Sequence, residues 1–467
     1  MHLQNRLVFS FLLIVSSFLL VSSNDFDELL CVVTLIVFAF NVFYKWSVKR
    51  AWKNSRLPVI YSFSFIISFL FILWINITSI QLGSSIMPNM PGDALSYFQI
   101  GSELALTDKA LTDVSLNYIG YPLVLSWVFT LFGTHLIFGL IINMLVLFFN
   151  IFLISECTLK VTKNLKDFQS SFILLLLTAS FMATGFLLLK DVFIITSITL
   201  SLYASLNLLN NAAAKKNYVI LIISVLIMAL FRMTFVWVPV AIFILITFNK
   251  RNLIKLLPVV ITLLILGINV GSKLSLKEDT SIEQDIEFAF SNQVISQRLD
   301  SGSTSFISAL ISGYDNWGIV KKTLYLPITI GIQYITPFNV YDFQQSIEYP
   351  YYFISKNYNL LWLLFIGPLA LFSILNLFKR SKDLNPLLVK ITYFGIVLYI
   401  LPAFIFGGAI PRYAVPFYSL LLPIMAVNLT AIKSIKTYKK KWYRFVGLYV
   451  LTFLILLIMY LFFKGIK

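Results

Sequence analysis

Residues 58–97 hold the stretch that decides the fold: the apolar run PVIYSFSFIISFLFILWINITS at 58–79, followed by Pro91-Gly92-Asp93-Ala94-Leu95-Ser96-Tyr97. The run is long enough to cross a bilayer as a helix, which takes roughly 17–25 apolar residues. The loop after it closes with Tyr118-Ile119-Gly120-Tyr121-Pro122-Leu123 and places an acid, Asp93, where a span meets water. An ionisable group at that depth is a candidate for function.

The same apolar character extends over the whole chain. Of its 467 residues, 59% are hydrophobic and only 12% are charged, and the mean hydropathy is +0.88. A soluble chain of this length could not bury so much apolar surface. The sequence therefore predicts an all-α polytopic membrane protein of about 13 spans. They are expected near 7–23, 28–44, 58–79, 136–158, 168–188, 192–210, 217–231, 233–248, 254–270, 358–378, 386–406, 413–431 and 444–464.

The spans divide the chain into four parts. Residues 1–57 form an additional N-terminal hairpin, in which 1–23 is expected to be a retained span more than a cleaved signal peptide. Residues 58–270 form a transmembrane core that includes a first external loop at 80–135. Residues 271–357 form a second external loop, expected to fold into short surface helices as a lid, and 358–467 carry the C-terminal helices.

The positive charge follows the topology of the spans. The net charge is +16, and about two-thirds of all Lys and Arg fall on one side of the membrane, which marks that side as cytoplasmic. This arrangement requires 121–133 to be a short interfacial helix, since it is too short to span. Asp93 and Asp191 then face away from the cytoplasm. We expect no nucleic-acid partner, and Cys31 and Cys157 lie inside apolar runs and predict no disulfide or metal pair.

Asp93 opens a segment with an apolar pattern that fits a helix. Its apolar positions predict a short amphipathic helix over 94–106, parallel to the membrane. Asp93 would lie at the N-terminus of this helix, either as a cap or as a catalytic base, and the sequence does not separate the two roles. The apolar positions are Leu95, Phe98, Ile100, Leu104 and Leu106.

Three further charged positions lie at ends of apolar runs. Lys190-Asp191 is either a tight turn exposed to water or a second acid placed across a cavity from Asp93. Arg232 interrupts an apolar run, where an arginine costs about 2.5–3.5 kcal/mol at a helix centre; at the outer end of a span it could bind a phosphate. Arg412-Tyr413 is either another phosphate site beside a helix start or an interfacial anchor pair.

Acids and cations at one membrane face indicate that the two kinds of residue have different chemical roles in one site. A carboxylate can take a proton from a hydroxyl nucleophile, and cations can stabilise a phosphate leaving group. Lipid-linked phospho-sugars present such a leaving group at the bilayer surface. Two alternatives stay open: a polysaccharide polymerase or ligase that uses pyrophosphate-linked glycans, and a flippase or transporter for a lipid-linked glycan.

These motifs resemble the GT-C superfamily of polytopic membrane glycosyltransferases. The likeness is greatest to the branch with protein O-mannosyltransferases and aminoarabinose transferases, which is glycosyltransferase family 39-like. It is carried by Gly92-Asp93-Ala94 with Tyr97, by Gly120-Tyr121-Pro122-Leu123 and by Leu131-Phe132-Gly133. Lys190-Asp191 and Arg412-Tyr413-Ala414-Val415-Pro416 are similar to later landmarks of the family.

The resemblance implies a catalytic core at 58–270 that transfers a sugar from a polyprenyl-phosphate donor on the non-cytoplasmic side, usually with inversion. Asp93 matches the acid taken as the catalytic base, and Asp191 matches a second loop acid near the acceptor or donor, so both are expected to be catalytic. The donor phosphate would be bound by Lys190, Arg232 and Arg412, and the substrates would be positioned by Tyr97, Glu103, Tyr121 and Tyr413.

The first loop has one Asp where the family has an acidic pair. This departure predicts that no metal is required, and we expect no other cofactor. The expected partners are the sugar donor, membrane lipids and a glycan, lipid or protein acceptor. We expect the chain to reside in a bacterial plasma membrane.

Overall fold

A computed structural model of the chain describes residues 57–83, 92–107, 120–211, 214–247, 317–335, 362–406 and 411–465, together with 262 and 265. Every regular element in these parts is helical. Seven of them are long and apolar enough to cross a membrane. A helix pairs its backbone N–H and C=O groups internally, which a bilayer without water requires. The chain is therefore an all-α polytopic membrane protein, as the sequence predicts.

Fifteen α-helices are numbered here within the described residues. They are α1 (Leu57–Gln81), α2 (Gly92–Leu106), α3 (Gly120–Phe132), α4 (Leu136–Thr162), α5 (Leu165–Leu177), α6 (Ala179–Phe186), α7 (Asp191–Asn210), α8 (Lys215–Arg232), α9 (Trp237–Thr247), α10 (Ile319–Leu324), α11 (Leu326–Ile335), α12 (Gly367–Arg380), α13 (Pro386–Phe406), α14 (Tyr418–Ser434) and α15 (Lys436–Gly465). Short 3-10 turns at Met233–Phe235, Ser381–Asp383 and Pro411–Phe417 and a π turn at Trp362–Ile366 connect or extend them.

Most predicted spans coincide with a described helix. Those at 58–79, 136–158, 192–210 and 386–406 are confirmed as α1, α4, α7 and α13. Helix α3 has 13 residues and is about 20 Å long, so it is too short to span. The spans predicted at 7–23 and 28–44, and all of 254–270 except residues 262 and 265, lie outside the described residues. The total number of spans therefore stays a prediction.

The span predicted at 168–188 is wrong as a single helix, because the chain breaks at Thr178 into α5 and α6. Thr178 has φ −84° and ψ 96°, and its hydroxyl donates to the Leu174 carbonyl at 2.7 Å. This bond satisfies a carbonyl near the end of α5, where helical partners run out. Hydropathy does not reveal the break, since apolar side chains continue through both halves.

The second external loop is described only in part. Helices α10 and α11 lie within it, as expected for short helices, and α11 packs against α13. The Lys321 ammonium lies 4.0 Å from the centroid of the Trp317 ring, which in turn packs against Tyr325. The rest of 271–357 and the hairpin predicted at 1–57, apart from Leu57, lie outside the described residues.

Helix α7 lies at the centre of the bundle and packs against α4, α8 and α9. Buried hydroxyl groups on α7 bond to its neighbours: Ser197 Oγ donates to the Ser224 carbonyl, and Ser201 Oγ donates to the Pro239 carbonyl, both at 2.6 Å. Lipid is as apolar as a protein core, so close packing of small residues and interhelical hydrogen bonds hold spans together. These bonds tie α8 and α9 to α7 across the turn that separates them.

The bundle has two ends that differ in charge. At one end, Lys160 Nζ donates to Asn207 Oδ1 at 2.7 Å and Asn385 Nδ2 donates to the Val161 carbonyl at 2.8 Å. We call this the lysine-rich end; it gathers the ends of α4 and α7 and the starts of α8 and α13. The opposite end, called the site end, holds the starts of α3 and α7 and the end of α8. Asp191 and the lysines near residue 160 therefore lie at opposite ends of the bundle, as predicted.

Gly120 lets the first loop approach the bundle closely. A Cβ at this buried residue would lie 2.5 Å from the Leu230 carbonyl oxygen and 3.1 Å from Leu230 Cβ. No L-residue with a side chain fits there unless the backbone of α8 shifts. The glycine thus brings α3 against the end of α8, next to Phe231 and Arg232.

We predict that Gly120→Ala destabilises the protein by about 1–3 kcal/mol, the usual cost of overpacking, because the obstructing atom belongs to a helix backbone. Thermal unfolding in detergent measures the loss. Gly447→Ala is the control: no atom lies within 4 Å of a Cβ there, and alanine favours a helix. An unchanged melting temperature for Gly120→Ala would contradict the close approach of α3 to α8.

Candidate functional site

Asp93 lies in the first turn of α2 and is exposed. The helix begins at Gly92, so the carboxylate is close to a helix N-terminus, where negative charge is stabilised. The capping role and the chemical role that the sequence leaves open remain compatible.

The buried face of α2 differs from the predicted apolar stripe. Two of the apolar positions of the predicted amphipathic helix, Leu95 and Leu106, are 37% and 73% exposed, whereas Phe98 is buried. The helix instead packs against α3, and a Cβ on Gly101 would lie 2.8 Å from Leu125 Cβ. Close helix packing favours the smallest residue at the contact, which a pattern of hydrophobicity misses. The buried positions are Ala94, Tyr97, Phe98 and Gly101.

Tyr97 joins the first loop to the rest of the site. Its ring meets the Tyr121 ring edge to face with centroids 5.1 Å apart, and Lys190 Nζ lies 5.8 Å from the Tyr97 centroid. Residues four apart on a helix share one face, with Cβ atoms about 5–6 Å apart. Asp93, one turn before Tyr97, therefore belongs to the same corner of the molecule as Lys190.

Lys190 and Asp191 follow the break between α6 and α7. Asp191 is the first residue of α7 and is fully buried, whereas Lys190 is partly exposed. The alternative interpretation, in which Asp191 belongs to a tight turn exposed to water, is therefore wrong. At this position the carboxylate interacts favourably with the positive end of the helix dipole.

Tyr121 is fully buried beside these charges. Burial raises the pKa of the Tyr121 phenol well above its usual range; the Asn143 side chain opposes this shift, and the nearby Tyr97 and Asp191 add to it. The hydroxyl therefore stays protonated at physiological pH and is a neutral polar group within an aromatic cluster.

Two buried asparagines on α4 bond to the segment between α6 and α7 and to the first turn of α7, and the sequence analysis identified neither. Asn143 Nδ2 donates to the carbonyls of Leu187 at 2.6 Å and Leu189 at 3.2 Å, both in the irregular segment before α7. Asn150 Nδ2 donates to the Val192 carbonyl at 2.9 Å. Amides seven residues apart share one helix face, and a buried amide requires a partner. Two asparagines seven residues apart in an apolar span are therefore the signal by which the sequence could have identified Asn143 and Asn150.

Arg232 ends α8 and stacks on aromatic rings. Its φ of −162° and ψ of 81° leave helical geometry, and the 3-10 turn Met233–Phe235 follows. The guanidinium Cζ lies 4.3 Å from the Tyr413 centroid and 5.0 Å from the Phe235 centroid. Cation–π contacts of this kind contribute about 0.5–2 kcal/mol. Two predicted site residues from distant parts of the chain are thus in contact.

An aromatic wall connects Arg232 with Tyr121. Phe231 stacks on Phe193 with centroids 4.5 Å apart and ring planes 5° apart. The Tyr121 ring lies 5.9 Å from Phe193 and 6.5 Å from Phe231. Phe193 follows Asp191 by two residues, so the first loop, the start of α7 and the end of α8 meet at one apolar-walled corner.

Two predicted site residues are not placed in this group. Glu103 is exposed on α2, and ten residues separate it from Asp93, about 15 Å along the helix axis. The backbone of Arg412 belongs to the 3-10 helix Pro411–Phe417, next to Tyr413, and its side chain lies outside the described part of the structure.

The site end thus combines an exposed carboxylate, a buried carboxylate and two cations beside aromatic rings. A carboxylate can accept a proton from a hydroxyl group, and the cations can bind an anion. Within the described residues no group of three His, Cys, Asp or Glu side chains could hold a metal ion. No protein-family model matches the chain, and no similar curated protein or solved structure was found.

We predict that Asn143→Leu destabilises the protein by about 1–3 kcal/mol, because it removes the amide donor to the Leu189 carbonyl and one of the two donors to the Leu187 carbonyl. Hydrogen–deuterium exchange over 187–193 should become faster, since this segment loses its anchor. Asn76→Leu, at a half-buried amide on α1, serves as the control and should leave exchange over 187–193 unchanged. Equal exchange in Asn143→Leu and the wild type would refute the anchoring role.

Proposed function

We propose that the protein is a membrane glycosyltransferase that moves a sugar from a polyprenyl-phosphate donor to an acceptor hydroxyl, with Asp93 as the general base. One observation carries the proposal. Tyr97, on the helix that bears Asp93, contacts both Tyr121 and Lys190, and the Tyr121 ring leads through Phe231 to Arg232. An acid and two cations from three separate segments therefore share the site end.

The proposed step begins with the acceptor hydroxyl. Asp93 accepts its proton while the oxygen attacks the anomeric carbon of the donor sugar. The bond between that carbon and the phosphate oxygen breaks, and the lipid phosphate leaves with the bond's electron pair. Attack opposite to the leaving group inverts the configuration at the anomeric carbon. The exposure of Asp93 suits a base that must meet an incoming acceptor.

Lys190 and Arg232 would stabilise the charge that develops on the departing phosphate, together with Arg412. An arginine stacked on a ring keeps its N–H groups in the guanidinium plane, where they can form two parallel bonds to a phosphate. The contact between Arg232 and the Tyr413 ring supports this role. Tyr413 and Tyr97 would each hold a cation in place.

Asp191 would position other site residues and would not contact the reacting groups itself. Its complete burial at the start of α7 suits a positioning role toward Lys190 and Tyr121 more than direct contact with an acceptor. Glu103 lies about three turns from Asp93, so any contact it makes with substrate would be with a distant part of the acceptor.

We infer that the site faces the non-cytoplasmic side of a bacterial plasma membrane. The lysine-rich end lies opposite to the site end, and an excess of Lys and Arg favours the cytoplasm. A lipid donor would then place its phosphate among the cations and its hydrocarbon tail beside the apolar spans. A glycan, lipid or protein could supply the acceptor hydroxyl.

We predict that Asp93→Asn reduces sugar transfer by about 10²–10⁴-fold, the usual contribution of a general base. Mass spectrometry of envelope glycans from cells lacking the protein, complemented with each variant, measures the product. The melting temperature should change little, because Asp93 is exposed. Asp383→Asn, the same substitution at an exposed acid of the lysine-rich end, should restore the full amount of product.

Full transfer by Asp93→Asn would overturn the assignment of the base. Consumption of a pyrophosphate-linked glycan would favour the polymerase or ligase alternative. Proteoliposomes that scramble a labelled lipid-linked glycan without forming a glycosidic bond would favour a flippase.

We predict that Arg232→Gln weakens binding of a short-chain polyprenyl phosphate by about tenfold or more, since hydrogen bonds between charged groups contribute about 1.5–3 kcal/mol. Titration calorimetry on the purified protein measures the affinity. Lys216→Gln removes one positive charge from the lysine-rich end and should leave the affinity unchanged. Equal weakening by both substitutions would indicate nonspecific attraction instead of a site.

A further inference from the structure

A dense cationic surface at the lysine-rich end takes no part in the proposed reaction. It is formed by the end of α12, the turn after it, the end of α14 and the first turns of α15. These elements carry nine exposed cations and one exposed acid, Asp383, which already pairs with Arg380 at 3.2 Å within the described residues. We name these cations the basic face: Lys379, Arg380, Lys382, Lys433, Lys436, Lys439, Lys440, Lys441 and Arg444.

Contacts between helices hold the basic face together. The Arg380 guanidinium donates a hydrogen bond to the Tyr438 hydroxyl, and Lys441 Nζ lies 5.9 Å from the centroid of the same ring. Deeper in the bundle, Phe372 on α12 packs against Trp442 and Phe445 on α15 at centroid distances of 5.4 and 5.5 Å. The cations of α12 and α15 are therefore held side by side.

This arrangement is electrostatically unfavourable without a counter-charge. Like charges repel, and the lysines of α15 occupy its N-terminal turns, where the helix dipole also disfavours cations. The first turn of α15 contains no acid. An anion bound at this surface would offset both the repulsion between the cations and their unfavourable interaction with the helix dipole.

The depth of the basic face identifies the anion. Tyr443 and Trp442 lie within it, and such aromatic side chains prefer the interface between lipid and water. Directly beyond them α15 exposes a row of large apolar side chains of the kind that contact lipid tails. These are Leu448, Val450, Leu451, Leu454, Ile455 and Ile458. The cations therefore lie at the level of phospholipid headgroups.

We propose that the basic face binds the headgroups of anionic phospholipids in the leaflet at the lysine-rich end. Clusters of four to eight Lys and Arg beside a span are the usual form of such sites. Binding there is independent of sugar transfer, since the surface lies at the end of the bundle opposite to Asp93 and Arg232.

Lipid retention by the full-length protein tests the proposal. The protein in neutral detergent is mixed with equal amounts of phosphatidylglycerol and phosphatidylcholine with identical tails, repurified, and analysed by mass spectrometry. We expect the wild type to retain phosphatidylglycerol preferentially. The triple variant Lys439→Gln, Lys440→Gln and Lys441→Gln should lower that preference by about fivefold or more, the effect of one lysine contact. High salt should lower it as well.

A charge-matched triple variant, Lys163→Gln, Lys215→Gln and Lys216→Gln, removes exposed lysines of the same end outside the basic face and should keep the preference. Each α15 substitution alone should shift the ratio in the same direction, which covers a failure of the triple variant to fold. No preference in the wild type would overturn the proposal. Equal loss in both triple variants would do so too, and would indicate that these lysines act only as orientation signals.

Discussion

The contact of the Tyr97 ring with Tyr121 and with Lys190 is the interaction on which the site depends. It fastens the helix that bears Asp93 to the start of α7, across a chain separation of nearly one hundred residues. Gly120 makes the contact possible, because only a residue without a side chain lets α3 approach the Leu230 carbonyl so closely. Without this packing, Asp93 would be separated from the two cations, and the buried Asp191 would be the acid that remains beside Lys190.

The polar groups inside the bundle also stabilise the arrangement of the site. Breaking a helix inside an apolar environment exposes carbonyls that water cannot reach, and the amide of Asn143 satisfies two of them. The break then places Lys190 toward Tyr97 while Asp191 starts a new helix. Arg232 likewise ends a helix and finds aromatic partners instead of lipid. Charged residues are thus tolerated where the backbone is already irregular and side chains can shield it.

Hydropathy and charge predicted the fold class, several spans and the separation of Asp191 from the lysines, because these features depend on transfer between lipid and water. The division at Thr178 and the buried face of α2 were not predictable, since both depend on which neighbour each segment packs against. Asp93, Lys190 and Arg232 stood out as charges at the ends of apolar runs. Asn143 did not, although its amide needs a partner, because one neutral polar residue barely alters the hydropathy of its span.

Cross-linking of Asp93→Cys to Lys190→Cys by a short bismaleimide tests the convergence of the site most directly, in a background with Cys31 and Cys157 replaced, because Asp93 is exposed and the Tyr97 ring stays in place. Efficient joining of this pair is expected, whereas Asp93→Cys with Lys216→Cys should not react, since α8 separates the two ends by about 27 Å. Absence of the first cross-link in folded protein, or equal yields for both pairs, would contradict the placement of the Asp93 helix beside the start of α7.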